Sequence, residues 1–290
     1  MSRTGNSTIL KTSDQKQQRN TAIVIITHKP SISNFELVSL RQCFKIFYAR
    51  PIFIVCPERM DISEYLVISD NVQFSFVPPK YLESYRNFNR FKILPYLYKK
   101  FENFKYLLFY ELDAFVFRDE LDLWIAKGYD YIGAPWRKGW TDADKNSPFI
   151  GVGNGGFSLR KVKSHIQVLK SFSYICTPKV IARRWLDDTI YRKFRSLPYI
   201  IADLTIRNNT HFLFNNFTGN EDVFWGLIAD RNFNWFNVAP IEEAIKFSFE
   251  VQPRDQYIQN RYNLPFGCHG WWKYDLEFWR PFIENEGYNL

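Results

Sequence analysis

Four short apolar runs, rich in β-branched and aromatic residues, are the feature that most constrains the fold of this chain. They are TAIVII from Thr21, PIFIVCP from Pro51, VQFSFV from Val72 and YLLFYELDAFVF from Tyr106. Such runs are typical of buried strands, and the segments at 33–48 and 88–101 have apolar residues at helical spacing, the second interrupted at Pro95. Strands that alternate with helices predict an α/β fold with a central, mainly parallel sheet flanked by helices.

The rest of the chain continues this alternation. YDYIGAPW at 129–136 predicts a strand, GVGNGGFSLRK at 151–161 a glycine-rich turn entering a strand, residues 162–200 are largely helical, and FTGNEDVFWG at 217–226 opens a helix. Residues 1–20 have almost no apolar side chains, so they cannot bury enough surface to offset the entropy of ordering. We therefore expect a flexible tail over 1–20 and one folded domain over 21–290.

The charge balance is basic. The 38 Lys and Arg against 30 Asp and Glu give a formal charge of +8, which suits a diphosphate-bearing substrate or an anionic membrane surface. Without a recognised motif, this charge does not predict a nucleic-acid partner. No apolar run has the length of a transmembrane helix, and the N-terminus lacks the hydrophobic stretch of a signal peptide. We expect a cytoplasmic protein, with peripheral contact at the inner face of the membrane left open.

Two carboxylates, Glu111 and Asp113, interrupt the fourth apolar run. Charges are costly in a buried strand, and residues two apart in a strand point the same way. Such a pair is expected at the carboxyl end of a strand, where open α/β sheets bind ligands. Carboxylates suit Mg²⁺ or Mn²⁺, which take oxygen ligands and bridge to phosphates. A surface strand is the competing interpretation, but the apolar neighbours argue against it.

Three further places in the sequence are candidates for chemistry. Glu221 and Asp222 follow Asn220 at a predicted helix start. They either stabilise a turn that Asn220 caps or reach a cleft as the general base for an acceptor hydroxyl. His269 lies in a loop whose glycines permit close approach to a ligand, and it is either a structural hydrogen-bonding residue or a metal ligand. Lys273 could neutralise a phosphate.

The glycine-rich run at 151–156 matches neither GxxxxGK[ST] nor GxGxxG entering a helix. It is either an ordinary turn or a tight turn whose side chain and amides line a sugar pocket. Aromatic rings also stack on sugars, and the chain has 28 Phe, 17 Tyr and 9 Trp. We expect the sugar-binding residues to include Trp136, Asn154, Gly155, Gly156, Trp225 and Trp271.

Seven short motifs follow one another along the chain. They are THKP at 27–30, PIFIVCPE at 51–58, YELDAFVF at 110–117, GYDYIGAPW at 128–136, VGNGGFSLRK at 152–161, NEDVFWG at 220–226 and FGCHGWW at 266–272. In this order they resemble the GT-A glycosyltransferases, and more narrowly a bacterial family of uncharacterised proteins found with surface-polysaccharide synthesis genes. The resemblance covers about residues 21–280 and implies a GT-A, Rossmann-like fold.

The resemblance also implies a metal site. Glu111 and Asp113 stand at the D-x-D position of the fold, with Asp113 as a direct metal ligand and His269 as the C-terminal ligand. Glu111 departs from the usual first Asp, so its longer side chain is expected at the metal, at a metal-bound water or at the ribose.

The resemblance assigns further residues to the donor. Thr27 and His28 would contact the nucleotide base or ribose, and Arg90 or Lys92 would reach the diphosphate, as would Lys273.

The acidic pair before Trp225 is similar to that of inverting galactosyltransferases. His269 and Gly270 with Lys273 resemble, at a different spacing, a segment of retaining GT-A enzymes.

We therefore predict a metal-dependent enzyme that moves a sugar from a nucleotide-sugar donor, expected to be a UDP-sugar, to a hydroxyl of a glycan or lipid-linked acceptor in surface polysaccharide synthesis. Inversion is expected, with Asp222 or Glu221 as the base and Mn²⁺ or Mg²⁺ as the cofactor. One alternative is a nucleotidyltransferase acting on a sugar phosphate, which would carry a glycine-rich basic loop where THKP stands. Another is a non-catalytic carbohydrate-binding protein, whose sugar binding would need neither metal nor nucleotide.

Overall fold

The computed structural model describes residues 21–69, 72–144, 146–175, 177–187 and 189–290, so the tail expected over 1–20 lies outside the described residues. The strands of this part of the chain form three sheets. They are β1 Thr21–Ile26, β2 Ile52–Pro57, β3 Val72–Val77, β4 Tyr106–Tyr110, β5 Ala114–Val116, β6 Tyr131–Ile132, β7 Pro135–Arg137, β8 Phe149–Val152, β9 Phe157–Lys161, β10 Ser248–Phe249 and β11 Gly267–His269.

The central sheet has six strands in the described part of the chain, in the order β3-β2-β1-β4-β9-β6. Strands β1 to β4 are parallel, β9 is antiparallel to β4, and β6 is antiparallel to β9. The order reverses at β1, because β2 and β3 add on one side of it and β4 on the other. Open α/β sheets bind ligands outside the strand ends at such a switch point. The ends of β1 and β4 therefore mark the expected site.

Helices connect these strands. The α-helices are α1 Asn34–Ile46, α2 Ser63–Leu66, α3 Tyr85–Phe91, α4 Pro95–Lys100, α5 Leu121–Ala126, α6 Val162–Lys170, α7 Pro178–Leu186, α8 Ile190–Ala202, α9 Thr210–Asn216, α10 Glu221–Val223, α11 Asp230–Asn232, α12 Ile241–Phe247, α13 Pro253–Gln259 and α14 Trp271–Asn285. Single turns of 3₁₀-helix cover Pro79–Tyr81 and Trp140–Asp142, and π-helical turns cover Asp203–Arg207 and Phe224–Ala229. None of the helices in the described ranges combines the length and hydrophobicity needed to cross a bilayer.

The central sheet separates two apolar cores. Because side chains alternate along a strand, Val24 of β1 faces a core that includes α4 and α6, whereas Ile25 faces a core that includes α1 and α5. Both faces of β1 and β4 are buried, as parallel strands covered by helices require. The predicted α/β class, with a mainly parallel central sheet flanked by helices, is confirmed.

A third core lies beside β5, where the aromatic side chains of α14 pack. Strand β11 joins β10 in parallel and β5 in antiparallel fashion to form a small second sheet. Helix α14 is kinked at Asp275. The end of the chain is thereby held against the segment that follows β4.

Three predictions of local structure were wrong in detail. The single strand predicted over 129–136 is divided into β6 and β7, which belong to different sheets. The single strand predicted over 106–117 is divided into β4 and β5, which belong to different sheets, and the two carboxylates lie in the turn between them. The turn places both charged side chains outside the apolar layers, whereas a continuous buried strand would hold them inside these layers. Asn220 has the extended backbone of an N-cap, but its side chain makes no capping bond in the described structure and accepts a hydrogen bond from the Tyr85 hydroxyl at 3.0 Å.

Candidate metal and substrate site

The chain turns sharply at Glu111–Asp113, between β4 and β5. The Glu111 amide donates to the Gly156 carbonyl oxygen at 2.7 Å, and the Gly270 amide donates to the Asp113 carbonyl oxygen at 2.9 Å. Strand β11 pairs with β5 so that His269 lies opposite Ala114. Backbone hydrogen bonds therefore bring a histidine near the end of the chain beside the acidic turn.

Glu111, Asp113 and His269 each offer one ligand atom, and these atoms lie within 4.8 Å of one another. His269 Nε2 is 3.0 Å from Asp113 Oδ1 and 3.6 Å from Glu111 Oε2. Nε2 is buried, and among the described residues no acceptor or donor is in line for a hydrogen bond with it. Its other nitrogen, Nδ1, is 2.8 Å from Glu250 Oε1.

Burial alone would lower the pKa of His269, but Asp113, Glu111 and Glu250 raise it overall, so the imidazole is protonated on both nitrogens without a metal. With Nδ1 held by Glu250, a divalent cation would replace the proton on Nε2 between the two acids. Metal-binding histidines are commonly held in this way by a carboxylate on the second nitrogen. Two carboxylates and one such imidazole are a donor set that Mn²⁺ or Mg²⁺ accepts. The residues present therefore fit a divalent cation.

Two lysines neutralise the acidic turn. Lys273 Nζ is 2.5 Å from Asp113 Oδ2, and Lys92 Nζ donates a hydrogen bond to Glu111 Oε1. Burial alone would raise the pKa of the Asp113 carboxyl, but His269 and Lys273 lower it overall. Burial also opposes ionisation of Glu111, and Lys92 outweighs it and lowers the pKa of Glu111 to about 2. Both carboxyls are thus anionic at neutral pH.

Glu221 is buried and both of its carboxylate oxygens are engaged. Arg160 Nη1 lies 2.8 Å from Oε2, Arg160 Nη2 lies 3.0 Å from Oε1, and Lys92 Nζ lies 3.2 Å from Oε1. Gly155 packs so closely that a Cβ there would be 1.9 Å from Glu221 Oε1. Glu221, on α10, is therefore joined by paired charges to β9 and to Lys92, the residue that follows α3.

Asp222 has a different environment from its neighbour. Its Oδ2 accepts a hydrogen bond from the Gly155 amide at 3.1 Å. Burial, Glu221 and Glu250 together raise the pKa of Asp222 to about 7, while the Gly155 amide and Lys92 oppose the rise. Asp222 therefore exchanges its proton near neutral pH.

Two cavities border these residues. The Asp113 cavity, of ≈ 540 Å³, is lined by Ile26, Thr27, His28, Lys29, Ser33, Glu36, Tyr85, Phe88, Glu111, Leu112, Asp113, Trp272 and Lys273. The Asp222 cavity, of ≈ 480 Å³, is lined by Trp136, Trp140, Thr141, Gly219, Asn220, Asp222, Val223, Glu250, Val251 and Tyr274. His269 connects them, because its Nε2 faces Asp113 of the first cavity and its Nδ1 contacts Glu250 of the second.

The residues expected at the donor are only partly brought together. Thr27, His28 and Lys273 line the Asp113 cavity with the acidic turn. The side chain of Lys92 is 3% exposed and lies beneath the turn. Arg90, on α3, is absent from the described lining of both cavities.

The glycine-rich turn, with Asn154, Gly155 and Gly156, packs against His269 and Asp222 mainly through its backbone. Asn154 is buried with φ of +68°, and its Oδ1 accepts hydrogen bonds from the amides of Gly156 and Phe157 at 3.1 and 3.3 Å. A Cβ at Gly156 would lie 2.1 Å from His269 Nε2. The turn thus needs glycine at 156 because the histidine ring occupies that space, while Gly155 supplies the amide that holds Asp222.

The three tryptophans expected at the sugar differ in position. Trp136 lines the Asp222 cavity and packs edge-on against Trp140, with ring centroids 4.7 Å apart. Trp225 and Trp271 are fully buried, and their Nε1 atoms donate to the Lys92 carbonyl oxygen and to Ser39 Oγ. Neither of these two is among the described lining of either cavity, and both pack in the core.

Sequence reasoning missed several groups that complete the site. Trp140 lines the Asp222 cavity beside Trp136, Trp272 lines the Asp113 cavity, and Glu250 supports His269. Glu250 is an acid at the end of the apolar run FSFE, the same signal that drew attention to Glu111. Arg160 is likewise a charged residue within an apolar run, the buried strand β9, and this pattern could have indicated a buried charged partner.

Comparison with known proteins gives a family without an assigned function. No curated protein matches the sequence. One similar solved structure is described as "X-ray structure of the mannosyltransferase Ktr4p from S. cerevisiae in complex with GDP", with 12% identity and a TM-score of 0.40. That match covers 52% of this chain and 61% of that chain, so this chain spans about three fifths of its length. The sequence profile described as "Protein of unknown function (DUF5672)" matches residues 71–269, which is more than half of the chain, and the protein therefore belongs to that family.

Proposed function

We propose that the protein is a metal-dependent glycosyltransferase of the GT-A type, which moves a sugar from a nucleotide-sugar donor to a hydroxyl of a glycan or lipid-linked acceptor. The observation that carries the proposal is the convergence of Glu111, Asp113 and His269 between two cavities. A group-transfer enzyme with two substrates needs two adjoining binding spaces, with its charge-stabilising groups between them.

The donor is assigned to the Asp113 cavity. Glu111, Asp113 and His269 would hold Mn²⁺ or Mg²⁺, which when bound neutralises charge on a nucleoside diphosphate leaving group. The ammonium of Lys273, whose side chain is 58% exposed, is free to turn from Asp113 toward a phosphate oxygen. Thr27 and His28 follow β1 at the switch point, where the nucleoside would lie.

The acceptor is assigned to the Asp222 cavity. Trp136 and Trp140 offer aromatic surfaces suited to the apolar face of a sugar. Asp222 is the proposed general base, because its pKa of about 7 lets it accept a proton at neutral pH. Glu221 is assigned a positioning role, since Arg160 and Lys92 hold its carboxylate.

The proposed reaction is a single displacement. The acceptor oxygen bonds to the anomeric carbon of the sugar as the bond from that carbon to the diphosphate oxygen breaks, and the diphosphate leaves with the electron pair. Asp222 takes the acceptor proton. One displacement inverts the configuration at the anomeric carbon.

The test is a panel of nucleotide sugars, including UDP-sugars, incubated with the purified protein with and without Mn²⁺. We expect slow donor hydrolysis, and transfer when a sugar acceptor is added, both dependent on the metal. Asp113→Ala should reduce turnover by roughly 100-fold or more, because it removes a group that stabilises charge in the transition state. Asp142→Ala, at an exposed aspartate outside the metal cluster, is the matched control.

Three results would contradict the proposal. Turnover by Asp113→Ala at the wild-type rate would remove the metal assignment. Release of pyrophosphate from a nucleoside triphosphate and a sugar phosphate would identify a nucleotidyltransferase. Sugar binding that needs neither metal nor nucleotide, without turnover, would identify a carbohydrate-binding protein.

A further inference from the structure

Helices α7 and α8 carry an unusual amount of exposed apolar surface. Among the described residues, 22 large apolar side chains are exposed, and 11 of them lie between Phe172 and Ile206. Monomeric soluble proteins rarely expose contiguous apolar patches of large size, and such patches mark contact surfaces for proteins or membranes. We call the outward side of α7 and α8 the α7–α8 surface.

Helix α8 is amphipathic with its apolar side outward. Its spacing places Ile190, Phe194, Leu197 and Ile201 along one face, and these side chains are 73%, 78%, 39% and 54% exposed. Its inner side contacts α7, where the Trp185 indole donates to the Lys193 carbonyl oxygen at 3.1 Å. A helix normally turns its apolar face to the core, so α8 is oriented for a partner outside the chain.

The segment that carries this surface is basic. Residues 177–207 contain seven Lys and Arg against three Asp and Glu, a net charge of +4 out of +8 for the whole chain. Lys179, Arg183, Arg195 and Arg207 are all exposed. Two tyrosines, Tyr191 and Tyr199, are 74% and 60% exposed beside them. Apolar, aromatic and basic side chains on adjoining helices are the combination that lies in the interface of an anionic bilayer.

We propose that the α7–α8 surface binds the surface of an anionic lipid bilayer, with α8 lying parallel to it. The apolar side chains of α8 enter the acyl boundary, and the basic side chains contact lipid phosphates. Charge complementarity selects an anionic bilayer over a neutral one. This surface is separate from both cavities, so membrane binding does not rest on the proposed function.

The position of the surface along the chain suits a lipid-linked acceptor. From α8 the chain passes through α9 to the segment that lines the Asp222 cavity with Gly219, Asn220, Asp222 and Val223. This consequence does rest on the proposed function, because it requires the Asp222 cavity to hold the acceptor.

The test is co-sedimentation of the full chain with vesicles, in the absence of any donor. Vesicles of equal parts phosphatidylglycerol and phosphatidylcholine should bind the protein, and vesicles of phosphatidylcholine alone should bind it far less. Arg183→Gln with Arg195→Gln should weaken binding to the anionic vesicles on the order of 30-fold, from about 1 kcal/mol per basic residue. Ile190→Ser with Phe194→Ser should weaken it on the order of tenfold or more.

Matched controls separate this surface from general effects. Leu66→Ser with Val67→Ser removes two exposed apolar side chains outside the surface, and Lys80→Gln with Lys99→Gln removes two exposed charges outside it. These should bind vesicles like the wild type. Circular dichroism and urea unfolding report whether each variant is folded.

Each outcome decides the proposal. Equal binding by wild type and by both α7–α8 pairs overturns it, as does wild-type protein that binds neither vesicle. A concentration-dependent dimer that Phe194→Ser dissociates, together with no vesicle binding, would show that a second copy of the chain covers the surface. Vesicle binding without any glycosyl transfer supports the proposal and counts only against the proposed function.

Discussion

Replacing Asp222 by asparagine removes the negative charge of this side chain and keeps its size and its hydrogen bond. Asparagine retains an oxygen that can accept the hydrogen bond from the Gly155 amide, now 3.1 Å from Oδ2. It removes the ionised form, which burial and the neighbouring Glu221 and Glu250 disfavour. We therefore expect Asp222→Asn to make the protein more stable at neutral and alkaline pH while it loses activity.

The size of the effect follows from the pKa of Asp222. The pKa rises from the usual 3.8 to about 7, and at about 1.4 kcal/mol for each unit this corresponds to about 4 kcal/mol in the free energy of unfolding. The folded protein binds this proton more tightly than the unfolded chain does. The contribution of the group is therefore fully present below about pH 4, declines as the pH rises toward 7, and is lost above it.

The assay is urea unfolding of wild type and Asp222→Asn at a series of pH values from acid to alkaline. The variant should be up to about 4 kcal/mol more stable than the wild type at alkaline pH, and the two should converge as the pH approaches about 4. Turnover should fall by roughly 100-fold or more, as expected for loss of a general base. Asp142→Asn, at an exposed position, controls for the chemical change itself. A difference between wild type and Asp222→Asn that stays constant across this pH range would refute the reasoning.

Three further predictions concern the same cluster. The kcat/KM of the wild type should rise with pH up to about 7 and then level off, because Asp222 must lose its proton to act as a base; a rate that falls over this range would contradict the assignment. Gly156→Ala should weaken Mn²⁺ binding in isothermal titration calorimetry at least tenfold, since its Cβ would lie 2.1 Å from His269 Nε2, and unchanged affinity would remove His269 from the ligand set. Arg160→Met should lower the free energy of unfolding by about 3–5 kcal/mol, because it leaves Glu221 buried beside only one of its two cationic partners. Adding Glu221→Leu should restore part of this stability, and a double variant less stable than Arg160→Met would show that the charge pair is not the cause.

The parallel sheet was predictable because its chemistry is local. A strand covered by helices on both faces must be apolar at successive positions, and the runs that became β1, β2 and β4 meet this requirement. The edge strand β3 instead alternates apolar and polar residues. Pro95 was correctly read as a break, since α4 begins there after α3 ends at Phe91. The end of β4 after Tyr110 was not predicted, because the apolar pattern continues across the turn into β5 and no glycine or proline marks the turn.

The composition of the site was less predictable, because it depends on packing between distant segments. Trp271 and Trp272 are adjacent and identical in chemistry, and successive residues of a helix point about 100° apart. Only the packing of α14 decides that Trp272 faces the Asp113 cavity while Trp271 donates to Ser39. For Glu250 the sequence gives an acid near an apolar run, but contact with His269 requires the pairing of β10 with β11.

The pairing of β5 with β11 has a consequence for biosynthesis. The acidic turn leaves the ribosome long before His269 is added, and closure of the long intervening loop carries an entropic cost that the contacts of α14 must offset. A nascent chain therefore displays two carboxylates without their imidazole partner. Translation that stops short of Gly267 would yield a product that has the parallel strands but brings no imidazole to the acidic turn, so the proposed metal site would form only after β11 has been made.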